Sequence, residues 1–136
     1  MNNVRFSTAV HILTLLATAK PDQWTSSEYL AGSVNTNPAL IRKEIGSLRR
    51  AGLVESREGK NGGSRLAKKA ADISMAEVYE SVRQSFLLGK MNEPNPKCPV
   101  GREINRHLRQ LYEQAERQFA EQFGRMTLDD FSRQFG

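Results

Sequence analysis

Cysteine is nearly absent: the 136-residue chain has one, Cys98. A lone thiol excludes an internal disulfide, and it cannot alone supply the four ligands of a structural zinc or iron–sulfur site. Aromatic residues are also few, at 7% with one tryptophan. They are not interleaved with basic residues in the manner of a surface that stacks single-stranded bases. No run approaches the roughly 18 apolar residues that a membrane span needs, and the N-terminus lacks a signal-peptide pattern, so the expected compartment is the cytoplasm. A G-x-S-x-G elbow, a phosphate loop and metal-binding spacings are all missing, which argues against an enzyme. What remains is one domain-sized chain, long enough for a real core.

Charge is present and unevenly placed. The net charge is +5, but residues 1–70 hold 11 Lys/Arg against 5 Asp/Glu, a net +6, and residues 71–136 hold 9 against 10, a net −1. A basic excess confined to one half favours a polyanionic partner, most simply nucleic acid.

The most informative stretch is residues 36–66. Asn37 is a good N-cap and Pro38 suits the first helical position. Ile41, Ile45 and Leu48 recur at spacings of four and three, which predicts one buried stripe, while Arg42, Lys43, Ser47, Arg49 and Arg50 occupy the opposite face. Gly52 stands where a left-handed residue ends a helix. Leu53 and Val54 return to the core, residues 55–57 run extended, and Gly59, Lys60, Asn61, Gly62 and Gly63 form a tip. A helix followed by a basic hairpin is the outline of a winged helix-turn-helix. Its helix fits a major groove, and its glycine-rich tip can pass close to phosphates.

The flanking segments fit that outline. Residues 7–19 read as a mostly buried first helix capped by Ser7, with Val10, Leu13 and Leu16 inward and His11 at the core edge. Arg5, just ahead of it, is a candidate phosphate contact. Thr25, Ser26, Ser27 and Glu28 have the form of a capping box opening a short helix with Tyr29 and Leu30 inward. The exposed start of that helix, Thr25 to Ser27, offers hydroxyls and backbone NH groups to a phosphate. Ser74 to Glu77 is a second capping box, whose helix runs to about Ser85. Residues 86–99 hold three of the five prolines and read as a linker. Residues 100–123 place Ile104, Leu108, Leu111, Tyr112, Ala115, Phe119 and Phe123 on one side of a long helix that needs a partner surface, best met by a symmetry mate. A last short helix from Thr127, with Leu128, Phe131 and Phe135, is expected to lock against the dimer or the partner's DNA-binding domain.

The run from Asn37 to Val82 carries L-x-x-A-G-L-V-x-S, a G-x-x-G-G wing and I-S-x-x-E-V-x-x-x-V in order. With these motifs the first 85 residues resemble the Rrf-two family of bacterial winged-helix regulators, and the later NPKCPVG resembles its YwnA-like subgroup. The resemblance implies a mainly α fold with a small β-hairpin wing. It divides the chain into a winged helix-turn-helix DNA-binding domain at 1–85, a linker at 86–99 and a dimerisation helix with a C-terminal helix at 100–136. It implies a homodimer, no membrane association, double-stranded DNA as partner, a palindromic operator and an effector site between subunits. By position, Asn37, Ala39 and Arg42 fall where the family reads base edges, and Lys60 and Asn61 fall in the wing tip. Arg42 suits guanine, Asn37 adenine or a phosphate, Lys60 phosphates, and Arg49 and Arg50 the DNA backbone.

Cluster-binding members of the family, of the IscR type, carry three cysteines in the loop before the long helix. Here that loop has only Cys98, and Gly101 stands where a histidine would follow. No cofactor is therefore expected. Cys98 sits between Lys97 and Pro99 at the predicted start of a helix, where a cation and a helix N-terminus favour a reactive sulfur, so it is the candidate redox or electrophile sensor. His107, nine residues on, is too distant in sequence to establish a catalytic pair. The expectation is a sequence-specific transcriptional regulator, acting as a homodimeric repressor. The alternatives are a ligand-binding or protein-interaction dimer without specific DNA binding, and an RNA-binding winged helix.

Overall fold

The computed structural model describes residues 4–136. Its elements are α1 (Arg5–Thr18), α2 (Ser27–Val34), α3 (Pro38–Arg50), β1 (Val54–Arg57), β2 (Gly63–Leu66), a 3-10 turn (Ala70–Asp72), α4 (Met75–Val82), α5 (Pro99–Gly124), α6 (Leu128–Ser132) and a closing 3-10 turn (Arg133–Phe135). The architecture is mainly α with one antiparallel hairpin, as expected. Ile12 and Leu13 of α1, Leu30 of α2, Ile41 and Leu48 of α3 and Val78 of α4 meet Leu53, just before β1, and Ile73, just before α4, in one core and all are fully buried.

The central unit forms for the reasons the sequence supplies. Asn37 Oδ1 accepts from Leu40 N at 2.9 Å, Pro38 opens the helix, and Gly52 leaves it with φ 78°. The hairpin pairs Val54 with Leu66 and Arg57 with Gly63. Ser74 and Glu77 exchange both bonds of a capping box at the start of α4.

Several boundaries differ from expectation. Helix α1 begins at Arg5 with Val4 at its cap position, so Ser7 lies inside the helix and caps nothing. The side chain that caps α2 is Ser26, whose Oγ accepts from Tyr29 N at 3.1 Å. Thr25 is unavailable as a cap because its backbone exchanges two hydrogen bonds with Ser64, at 2.9 and 2.8 Å, which fastens the entry to α2 onto the wing. That pairing explains Gly63: a Cβ there would meet the Thr25 carbonyl oxygen at 2.3 Å. Tyr29, expected inward, is 64% exposed. Helix α4 ends at Val82, because Arg83 turns extended and commits its guanidinium to Glu80 and Glu116.

The long helix has two apolar faces where the sequence suggested one. Tyr112, Phe119 and Phe123 pack within the chain, with Phe86–Tyr112 and Tyr79–Phe119 ring centroids 5.4 and 4.9 Å apart and Phe6 against Phe123. Val100, Ile104 and Leu111 remain exposed on an adjoining face. Helix α6, expected against the dimer or the partner's DNA-binding domain, packs on α1 of its own chain. Leu128 is fully buried in the common core, and residues 126–128 hydrogen-bond to Ile73 and Met75.

Candidate nucleic-acid interface

Amphipathicity decides which side of α3 faces out. Ile41, Ile45 and Leu48 are buried, leaving Asn37, Ala39, Arg42, Lys43, Arg49 and Arg50 exposed. The helix also buries one residue that periodicity did not assign to the core, Glu44, at 2% exposure. Its carboxylate accepts from Arg5 Nε at 3.2 and 3.1 Å, and Arg5 Nη2 also reaches Ser47 Oγ at 3.1 Å. Arg5, a candidate phosphate contact in sequence, is thus engaged inside the fold and stands apart from the other candidates. A buried carboxylate without that guanidinium would be strongly unfavourable.

The start of α2, the outer face of α3 and the wing enclose a cleft. Thr25, Ser26, Ser27, Arg42, Arg49 and Arg57 line it, together with the tip residues Gly59 and Asn61. The structure brings the predicted α2 residues together with Arg42, Arg49 and Asn61, while Lys60 is exposed on the wing tip. Ser26 Oγ is taken by its cap, and Asn37 Oδ1 by its own, so each faces solvent with reduced acceptor capacity. Thr25 is 4% exposed, and its Oγ1 has no hydrogen-bond partner among the described residues. Arg42 Nη1 lies 3.5 Å from Glu28 Oε2 on α2. Arg50 Nη2 bonds Ser47 Oγ at 3.2 Å.

Sequence reading missed how the wing is held. Trp24 packs against two guanidinium groups, with Arg57 Cζ 4.8 Å and Arg65 Cζ 4.3 Å from its ring centroid. These are the one tryptophan and two basic residues from opposite strands, so an aromatic does interleave with the basic surface, through cation–π contacts rather than as an open stacking platform. Arg57 Nη2 also donates to the Asn61 carbonyl at 2.8 Å, which fixes Asn61 at the tip in a left-handed conformation. The clue in the sequence was a lone tryptophan between a Pro-Asp turn and a polar cap, with nothing apolar at helical spacing to bury it.

Cys98 is exposed and caps α5, with Sγ accepting from Gly101 N at 3.4 Å. His11 is half-buried, with Nε2 2.9 Å from Ser33 Oγ. No helix among the described residues is long and apolar enough to cross a membrane.

Comparison with known proteins identifies the family and the fold. The family model Rrf2, described as iron-dependent transcriptional regulator, matches residues 2–134. YwnA of Bacillus subtilis (strain 168), a candidate HTH-type transcriptional regulator, is 42% identical over 131 residues, covering 96% of each chain. The fold is shared with CymR, the global cysteine regulator of B. subtilis (TM-score 0.70, 19% identity, 98% of this chain and 96% of that one). It is shared equally with IscR of T. potens (TM-score 0.71, 20% identity, 100% and 88%). The iron in the family description finds no donor set to suit it here: the sequence has one cysteine, and no three His, Cys, Asp or Glu side chains converge among the described residues. With the model match spanning nearly the whole sequence, the chain belongs to the Rrf2 family and is a DNA-binding transcriptional regulator.

Proposed function

We propose that the chain is a homodimeric repressor that occupies a palindromic operator and responds to oxidants or electrophiles through Cys98. One observation carries the DNA-reading part. Arg42, Arg49 and Arg57, from the helix and the wing, open on a single cleft whose other wall is the N-terminal turn of α2. In this reading α3 enters the major groove. Arg42 takes guanine, and Asn37 and Ala39 meet neighbouring base edges, Ala39 as an apolar contact. Lys43, Arg49 and Arg50 contact the DNA backbone, as do Ser26 and Ser27 at the start of α2, while Thr25, buried and bonded to Ser64, holds the α2 entry to the wing without reaching a phosphate. Lys60 and Asn61 carry the wing to the adjacent groove.

Pairing of two chains is supported by the exposed stripe of Val100, Ile104 and Leu111 on α5, whose apolar side chains gain most by burial against a second copy. Cys98 caps the same first turn that holds Val100. Attack of its sulfur on hydrogen peroxide forms an S–O bond, breaks the O–O bond and releases water, giving a sulfenic acid. The added oxygen disturbs the cap to Gly101 and with it the end of the pairing face.

Selection of bound sequences from random duplex DNA, with Cys98 reduced and then oxidised, tests the whole reading. The expected result is a palindromic consensus from the reduced protein and its loss on oxidation. A consensus indifferent to oxidation removes Cys98 from the mechanism. No consensus in either state would bring forward the protein-interaction reading.

A further inference from the structure

Within the cationic cleft stands a carboxylate that neither the fold nor phosphate binding calls for. Glu28 lies in the first turn of α2, 72% exposed, with Oε2 3.5 Å from Nη1 of Arg42, itself 59% exposed. A negative charge there favours the helix dipole, yet any acidic residue of the first turn would serve, and Ser26 already caps the helix. As an exposed ion pair the contact contributes little to the stability of the free protein. On a surface that must accept a polyanion, an acidic side chain lowers affinity by repelling phosphates.

We propose that Glu28 is a positioning residue for Arg42 and thereby sets base specificity. The inference rests on the reading of Arg42 as a base contact. A guanidinium carries five donors in a planar fork. By drawing Nη1 toward α2, the carboxylate fixes the plane of that fork and leaves the Nη2 side to meet O6 and N7 of a guanine. DNA covering the cleft displaces water from the pair, and the attraction that is weak in the free protein strengthens in the lower dielectric. Without Glu28 the guanidinium turns freely toward the nearest phosphate. Binding then persists, but it no longer depends on the base. Glu28 therefore exchanges some general affinity for discrimination.

The test measures affinity for the selected consensus and for each of its single-base-pair variants, using the wild type, Glu28→Gln, Arg42→Ala and the double variant. Glu28→Gln is expected to reduce discrimination at one base pair of each half-site by about five- to tenfold, the low end of the range for a bidentate contact. Its affinity for mismatched DNA should hold or rise. Arg42→Ala should flatten the same base pair, and adding Glu28→Gln to it should change nothing further. These are ratios between DNA sequences, which a general loss of folded protein does not move. A wild-type profile for Glu28→Gln beside a flattened Arg42→Ala profile overturns the role of Glu28 and leaves that of Arg42 standing. An unchanged Arg42→Ala profile, or no consensus from the wild type, overturns both. An effect of Glu28→Gln that persists in the Arg42→Ala background indicates that Glu28 itself accepts from a base, such as cytosine N4, and also overturns the positioning role.

Discussion

Glu44 is the residue on which α3 depends most while contributing nothing to its outer face. Its charge is buried and answered by Arg5, so removing either partner leaves an unbalanced ion. Arg5→Ala is expected to destabilise the fold by about 3 kcal/mol, at the low end for a broken buried pair because Arg5 is partly exposed. Replacing both by apolar residues of similar size, Arg5→Met with Glu44→Leu, should recover most of that loss. Urea denaturation of the wild type and the two variants checks the order. The pairing was not legible in sequence. Periodicity marks Glu44 as adjacent to the buried stripe, but only tertiary packing brings a cation from another helix to it. For the same reason Thr25 was read as a cap: the local pattern fits, and its partner Ser64 is distant in the chain.

At the scale of elements, the start of α4 is pH-sensitive through Glu77. Burial acts to raise the pKa of Glu77, but hydrogen bonds from Lys68 and from the Ser74 backbone, with the Lys68 charge, outweigh it and hold the carboxyl below its ordinary value. A lowered carboxylate stabilises the fold fully above the ordinary value, about pH 4, and loses that contribution as pH falls through the lowered one. Because Glu77 is substantially exposed, the effect is small, roughly 0.5 kcal/mol at neutral pH. Melting temperatures of the wild type and Glu77→Gln should differ at pH 7 and converge below about pH 4. This element was legible, since S-x-x-E before an apolar run is a local signal. So was α3, where cap, proline and glycine stop agree. Tyr29 was not: an eight-residue helix offers too few turns for periodicity to separate its inner face from its outer.

At the scale of the molecule, the long helix shows what periodicity leaves open. Spacing identified α5 as amphipathic, but could not say that Tyr112, Phe119 and Phe123 serve this chain while Val100, Ile104 and Leu111 stay exposed. The proposed pairing puts the second set against a symmetry mate. Leu111→Glu is therefore expected to shift the protein from dimer to monomer in light scattering while the melt stays cooperative. A monomer reads only one half-site, so affinity for the full operator should fall to that for a half-site.

The position of Trp24 gives the molecule an optical property. Its indole is the only one in the sequence, and it lies within 5 Å of guanidinium groups from both strands of the wing. Ultraviolet emission from the protein therefore comes overwhelmingly from one fluorophore, lodged beside the surface proposed to receive DNA. Movement of the wing alters the distance of two cations from that fluorophore and so its quantum yield. The regulator carries a native, label-free gauge of wing conformation, readable in real time during a titration with duplex.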